Sequence, residues 1–205
     1  MHIAKHQDNY TQSIELLSRM IEVAESNIHP HFNFVLVKAL LLTMYYACLR
    51  VGEAIVSSNE DHSIKIENVH ILEENAKTSI KIILISFKHS SQSKEFILTQ
   101  SENELYCPVQ ALLSYLRLRV HKPGLLFTDI LGRPLNRTFL VNKLKFLLSL
   151  LGLDPKLYNT HSLRAGRATD LARAGTSEAI IKETGRWRSD AYLKYVRFGT
   201  FKLPN

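Results

Sequence analysis

The feature that most constrains this chain is a long apolar run, residues 34–49, in which Lys38 is the only charged side chain. A helix that is apolar on all sides must be enclosed by other elements. The run has sixteen residues, which is shorter than a helix normally needs to cross a bilayer. It therefore predicts a buried helix and no membrane span, in a chain of 205 residues that is long enough for a substantial core.

The rest of the pattern predicts an α+β chain that is mainly helical and holds one small antiparallel sheet. An amphipathic helix precedes the apolar run, over residues 11–26. Stretches rich in β-branched residues predict three strands, over residues 63–71, 79–87 and 94–98. Helical patterns then return, over residues 107–120, 136–152, 160–175, 177–184 and 190–196.

Charge is distributed unevenly along the chain, which has a net charge of +7. Residues 117–205 hold 17 basic and 6 acidic side chains, whereas residues 1–116 are net acidic. A basic region indicates a polyanionic partner, usually nucleic acid, although a solvated basic surface has the same composition. The two cysteines, Cys48 and Cys107, form no metal-binding pattern and favour an intracellular, reducing compartment.

Charged side chains in the first half could contact an anion. Arg50 follows the apolar run directly, where an unpaired charge is costly, and Glu53 lies three residues further on. The two form either a plain local ion pair or an anion-binding arginine that Glu53 orients. Lys88 lies where the second predicted strand meets a loop and could enter a groove, with Lys94 as its rival. Most lysines of hairpins, however, only keep strands soluble.

The segment THSLRAGRATDLARAG, residues 160–175, predicts a helix that begins with a polar site and that Thr160 is placed to cap. His161 and Arg164 stand three residues apart and are expected to share a face. Small residues lie beside them: Ala165, Gly166 and Ala168. Because the start of a helix favours anions, the pair could bind one. The alternative is a hydrogen-bonded histidine beside a surface arginine.

The segment GRWRSDAYLKYVR, residues 185–197, is dense in aromatic and basic side chains. Trp187 is the only tryptophan of the chain and could equally be a core anchor. Tyr195 could be an ordinary packed ring of an amphipathic helix, or a reactive group.

Taken together, these residue types suit attack on a phosphodiester. Tyrosine can act as a covalent nucleophile. Arginines bind the non-bridging oxygens as negative charge builds up, and lysine or histidine can move the protons. No group of carboxylates in the sequence suggests a Mg²⁺ site. We therefore expect no metal, no other cofactor and no small-molecule substrate.

The order and spacing of these residues resemble the catalytic signature of the tyrosine recombinases, the phage integrase family. The resemblance extends from about residue 11 to residue 197, and the matching set is specific in combination: Arg50, His161, Arg164 and Tyr195. It implies the recombinase catalytic fold, with a small three-stranded antiparallel sheet. The segments THSLRAG and GRWRSDAYLKYVR are most similar to recombinases of eukaryotic mobile elements of the Crypton or DIRS kind, which would place the protein in the nucleus.

The resemblance implies a role for each residue of the set. Arg50 and Arg164 would hold the scissile phosphate of double-stranded DNA. Tyr195, rather than Tyr192, would attack it and form a 3′-phosphotyrosine. Lys88 would protonate the leaving 5′-oxygen, and His161 would accept the tyrosine proton or hold the phosphate. DNA recombination, integration or transposition would follow from a reversal of this attack.

One departure from the family pattern concerns the position nine residues before Tyr195, which is usually His or Trp. Here it is Arg186, followed by Trp187. Arg186 can donate to a phosphate but cannot act as a base, so we expect it to serve as a catalytic cation. The resemblance implies supporting roles for Glu53, behind the arginines, and for Trp187.

The resemblance also bears on organisation and partners. We expect a single catalytic domain over residues 1–205, with residues 1–10 flexible and without a separate N-terminal DNA-clamping domain. The protein would self-associate on DNA, as a dimer or as a tetramer in synapsis. Two alternatives share parts of this description. One is an enzyme like the type IB topoisomerases, which nicks and reseals DNA. The other is a DNA-binding protein of the same fold without catalysis.

Overall fold

The computed structural model describes residues 13–56, 62–86 and 92–196. Within them lie seven α-helices, which are α1 Ile14–Asn27, α2 His31–Tyr46, α3 Val51–Ala54, α4 Pro108–Leu118, α5 Arg137–Leu150, α6 Ser162–Arg173 and α7 Glu178–Gly185. The strands are β1 Val69–Glu74, β2 Lys77–Leu84 and β3 Lys94–Thr99. Short 3₁₀ helices cover Ile66–Asn68, Glu104–Tyr106, Pro155–Leu157 and Asp190–Lys194.

Helix α2 is the buried helix that the apolar run predicts. Leu36, Leu40 and Leu42 are fully enclosed, because α1, α4 and α6 all pack against α2. The helix ends at Tyr46, before the apolar run does, and Cys48 then adopts a left-handed backbone with φ of 49°. This turn leads the chain into α3 and places Arg50 at the start of that helix.

A single carboxylate, that of Asp170, joins three helices. Asp170 Oδ2 on α6 accepts a hydrogen bond from the backbone N–H of Ile14, at 2.8 Å, and another from the hydroxyl of Tyr45. Burial, together with the negative charge of Asp170, raises the pKa of Tyr45, so the phenol stays a donor at neutral pH. The start of α1, the C-terminal half of α6 and the end of α2 are thereby held together.

The sheet is antiparallel with the order β1-β2-β3. A two-residue turn, in which Asn75 and Ala76 both have positive φ, joins β1 to β2 and matches the twist of a hairpin. Alternate residues of β2 face the core and α4: Ile80, Ile82 and Leu84. β1 is an edge strand that is mostly exposed.

The boundaries of the sheet differ from those that the sequence predicts. The first strand covers residues 69–74 instead of 63–71, because residues 66–68 form a 3₁₀ turn. The second covers residues 77–84 instead of 79–87. The tight turn at residues 75–76 sets the register of the hairpin, which β-branched composition alone does not reveal. The predicted fold class, mainly helical with a three-stranded antiparallel sheet, is confirmed. Among the described helices, none has the length and apolar character needed to cross a membrane.

Candidate active site

Arg50 and Glu53 form a local pair at the start of α3. Glu53 Oε1 accepts from Nη1 of Arg50 at 2.8 Å, and Oε2 accepts from the Arg50 backbone N–H at 2.7 Å. The Glu53 carboxylate is buried, whereas the Arg50 side chain keeps 27% of its surface exposed. Glu53 thus holds an arginine whose outer part can still reach a ligand.

The carbonyl of Cys48 brings two further arginines beside this pair. Its oxygen accepts from Nη1 of Arg164 at 3.0 Å and from Nη2 of Arg186 at 2.9 Å. Arg164 comes from α6 and Arg186 from the end of α7, so one turn after α2 collects side chains from distant parts of the chain. The thiol of Cys48 is buried, and burial raises its pKa, which keeps this group neutral among the arginines.

Arg164 is almost fully enclosed, with 1% of its surface exposed. Its Nη2 donates to the carbonyl of Gly185, and its guanidinium lies 4.5 Å from the ring centroid of Trp187 and 5.8 Å from that of Tyr195. Burial lowers the pKa of Arg164 to about 10, and the charges of Arg50 and Arg186 act in the same direction. The group remains a cation at neutral pH. The rings of Trp187 and Tyr195 thus cover the guanidinium of Arg164 in this structure.

The segment after α7 supplies that cover. The Trp187 ring packs directly against Gly185, where a Cβ would overlap it. The rings of Trp187 and Tyr195 are 5.1 Å apart. Tyr192 is buried against Trp187 and bonds to Glu178, and burial together with this bond raises the pKa of Tyr192. Tyr195 is only half-buried, so of the two tyrosines it is the more accessible.

Arg186 points inward. Its Nη2 donates to Glu53 Oε2 at 2.6 Å, and the side chain is 2% exposed. Burial lowers the pKa of Arg186, while Glu53 partly offsets this. Arg186 has a left-handed backbone, with φ of 57°, which is uncommon for a residue with a side chain.

His161 lies at the surface, at the N-cap of α6. The helix therefore begins one residue later than a cap at Thr160 would give. His161 is exposed to solvent, whereas Arg164 is buried. The small residues on α6 also differ from expectation. Ala168 is fully buried and packs with Ile181 and Tyr192, so at this position small size serves helix packing inside the protein.

Lys88 lies outside the described residues, between β2 and β3. Its rival Lys94 does not lie free on the sheet surface, because its Nζ forms an ion pair with Glu183 Oε1 on α7 at 2.8 Å. The hydrogen bond and the charge of Lys94 lower the pKa of Glu183. Within the described residues, no group of three or more His, Cys, Asp or Glu side chains is placed to hold a metal ion.

The family model described as the phage integrase family matches residues 15–196. The chain belongs to this family. Its members are the tyrosine recombinases, and the resemblance in the sequence is confirmed at the level of the family. No similarity to a curated protein sequence was found.

Solved tyrosine recombinases share the fold at low sequence identity. The XerH site-specific recombinase bound to palindromic difH substrate in a post-cleavage complex has a TM-score of 0.69, with 19% identity, over 92% of this chain and 49% of that one. The XerA recombinase has a TM-score of 0.67 and 23% identity, over 97% and 62%. The Tn1549 transposon integrase in complex with circular intermediate DNA gives 0.60 and 16%, over 98% and 64%. The chain spans about half to two thirds of the length of these recombinases.

Several contacts of the candidate site have no signal in the sequence. The carbonyls of Cys48 and Gly185 bind the arginines, and backbone acceptors leave no trace in side-chain spacing. Phe96 on β3 lies 4.7 Å from the guanidinium of Arg186. Phe96 lies two residues before the buried Leu98, so the alternation of the strand predicts that its side chain is partly buried. The neighbouring residues do not indicate that Arg186 is its partner.

Proposed function

We propose that residues 1–205 act as a single catalytic domain that cleaves double-stranded DNA and rejoins it through a 3′-phosphotyrosine at Tyr195. The observation that carries this proposal is the position of Arg164, which lies 5.8 Å from the Tyr195 ring and shares the Cys48 carbonyl with a second arginine. This second arginine, Arg186, pairs with Glu53, and Arg50 pairs with the same carboxylate, so the three arginines form one cationic site. Membership of the tyrosine recombinase family supports the same reaction.

In the first half of the reaction, the phenolic oxygen of Tyr195 bonds to the scissile phosphorus, and the bond from phosphorus to the 5′-oxygen breaks. Arg50 and Arg164 stabilise the negative charge on the non-bridging oxygens. His161 accepts the tyrosine proton or holds the phosphate, and Lys88 gives a proton to the leaving 5′-oxygen.

The second half reverses these steps on another strand. A 5′-hydroxyl attacks the phosphotyrosine, the new phosphodiester forms, and the phenolic oxygen regains a proton. Since the phosphotyrosine keeps the energy of the broken bond, the reaction requires neither ATP nor a metal ion. The chain's own cations supply the charge stabilisation.

Strand exchange requires more than one copy of the chain. XerH is solved on a palindromic substrate, and another recombinase of the same fold, FLP, in a complex with a Holliday junction. A palindrome offers two equivalent half-sites, and by this analogy we expect the chain to associate on DNA as a dimer or a tetramer.

The place of the chain within the family is a finer part of the proposal. The segments THSLRAG, residues 160–166, and GRWRSDAYLKYVR, residues 185–197, support a recombinase of a eukaryotic mobile element of the Crypton or DIRS kind. Such a protein would integrate or transpose DNA in the nucleus.

Covalent trapping tests the reaction directly. A library of duplexes carries a nick near a randomised region. Cleavage close to the nick releases a short oligonucleotide, so the strand cannot be rejoined and the protein remains covalently attached to the DNA. We expect a covalent adduct whose linked peptide, mapped by mass spectrometry, contains a modified Tyr195. Tyr195→Phe should bind the recovered DNA and form no adduct, and Tyr192→Phe is the matched control that should still form it.

The same DNA separates the alternative functions. Transfer of a label between two duplexes identifies a recombinase, whereas relaxation of supercoiled DNA without transfer identifies a topoisomerase-like enzyme. Binding without any adduct would contradict catalysis. An adduct on Tyr192 would overturn the assignment of the nucleophile.

A further inference from the structure

Arg186 has no donor on its two Nη groups left for a substrate. Nη1 donates to the carbonyls of Ala47 and Thr184, both at 3.2 Å. Nη2 donates to the carbonyl of Cys48 at 2.9 Å and to Glu53 Oε2 at 2.6 Å. Each Nη carries two hydrogens, so all four are in use. The remaining donor, Nε, is buried and has no partner within the described residues.

Glu53 connects Arg186 to Arg50. One oxygen of its carboxylate accepts from Nη1 of Arg50, and the other accepts from Nη2 of Arg186 and from the Arg50 backbone. A buried carboxylate is stable only when it is paired, and here the pairing comes from both sides. The position of the carboxylate, and with it the direction of Arg50, depends on both arginines.

Two further features fix Arg186 in this inward position. Its guanidinium stacks on Phe96 of β3, at 4.7 Å from the ring centroid, which is a cation–π distance. Its backbone is left-handed, a conformation that glycine or asparagine usually supplies at the end of a helix. The contacts of its side chain with the backbone carbonyls and with Glu53 explain why an arginine occupies this left-handed position.

We propose that Arg186 is a positioning residue that acts through Glu53 on Arg50 and does not contact the scissile phosphate. This inference rests on the proposed function, and it replaces the expectation of a catalytic cation at this position. It also implies that β3, through Phe96, helps to set the geometry of the arginines.

Arg186→Gly is the informative variant, because glycine accepts the left-handed backbone and removes only the side chain. Arg186→Lys keeps the charge without the planar fork and serves if the glycine variant does not fold. The rate of cleavage is measured in single turnover on the DNA sequence recovered by covalent trapping, at a temperature below the melting temperature of each variant. We expect Arg186→Gly to bind DNA with nearly unchanged affinity and to cleave up to about 100-fold more slowly, with Arg186→Lys in between.

A double-mutant cycle with Arg50→Ala decides between positioning and direct contact. If Arg186 acts through Arg50, adding Arg186→Gly to Arg50→Ala costs little further rate. If the two losses multiply, Arg186 contacts the phosphate by itself and the inference is overturned. Cleavage by Arg186→Gly at the wild-type rate also overturns it, while the proposed function stands because the wild type cleaves.

A measurement without DNA tests the inference separately from the reaction. Crystal structures of the free wild type and of Arg186→Gly should differ in the position of the Arg50 guanidinium by about an ångström, the scale of displacement that matters in a catalytic site. Arg188→Gly, which removes an exposed arginine two residues away, should leave Arg50 in place. An unmoved Arg50 in Arg186→Gly contradicts the inference even if no DNA is ever cleaved.

Discussion

Lys94, the rival of Lys88 as a source of protons, is held by an ion pair. Its Nζ lies 2.8 Å from Glu183 Oε1 on α7, so its ammonium group has a carboxylate partner that a leaving oxygen would have to displace. Lys94 thereby links the start of β3 to the helix before Arg186. We therefore assign Lys94 a structural role and retain the proposal that Lys88 is the general acid.

Replacement of the bridging 5′-oxygen by sulfur tests this assignment. A thiolate leaves without a proton, whereas a 5′-alkoxide needs one. Lys88→Ala should cleave ordinary DNA about 10²–10⁴-fold more slowly and recover most of this loss on the sulfur-bridged DNA. Lys94→Ala is the control and should show a similar, small defect on both. Equal impairment of Lys88→Ala on both substrates would make Lys88 a binding residue instead.

The segment after α7 acts as an element that covers Arg164. Trp187 and Tyr195 lie over the guanidinium, and Trp187 in turn rests on Gly185. If Arg164 binds the phosphate as proposed, the phosphate must take the place of this contact, and we expect the segment to move when DNA enters. The proposed nucleophile, Tyr195, belongs to the same short stretch as the cover, so we expect exposure of the arginine to be coupled to movement of the tyrosine.

Fluorescence can follow this movement, because Trp187 is the only tryptophan. We expect its emission to change saturably on DNA binding as the guanidinium leaves its ring. Trp187→Phe should bind DNA, measured by anisotropy of labelled DNA, without that signal. Emission that stays constant at saturating DNA would show that the cover remains closed on the bound substrate.

Asp170 is an anchor between helices, and its removal should be measurable in stability. Asp170→Ala leaves the Tyr45 hydroxyl buried without its acceptor and frees the N–H of Ile14. We expect a loss of about 3 kcal/mol in the free energy of unfolding, from urea titrations, because bonds to a charged group contribute about 1.5–3 kcal/mol each. Asp154→Ala, which removes an exposed cap, should cost less than about 1 kcal/mol. Equal effects of the two variants would contradict the anchoring role.

For the whole molecule, the basic half of the chain dominates the expected interaction with DNA. Residues 117–205 contain 17 basic and 6 acidic side chains, and they include α6, α7 and the segment after α7 that holds Tyr195. Binding that neutralises phosphates releases counterions, so affinity depends on salt.

We expect log K for DNA to fall linearly with log salt. With about five phosphate contacts, affinity should drop by several hundred-fold between about 50 and about 200 mM salt. Binding isotherms from anisotropy at four or more salt concentrations measure the slope. A nearly flat dependence would argue against phosphate contacts as the main source of affinity.

Local patterns in the sequence predict several elements of the fold and part of the candidate site. The buried α2 follows from an apolar run with one charge, and the pair of Arg50 and Glu53 follows from a spacing of three residues. Both depend on neighbours along the chain, and periodicity and short spacings report such neighbours directly. The family, too, follows from the order of a few side chains, since the same reaction needs the same charges.

Only the tertiary structure decided which way the arginines point. Arg186 pairs with Glu53 across 133 positions of sequence, and Arg164 is enclosed by rings from another segment. Neither contact has a local signature, because burial of a charge depends on which distant carbonyls and carboxylates the folded chain brings to it. Composition and residue order establish which charged side chains are present, and packing around the turn at Cys48 sets which of them face inward.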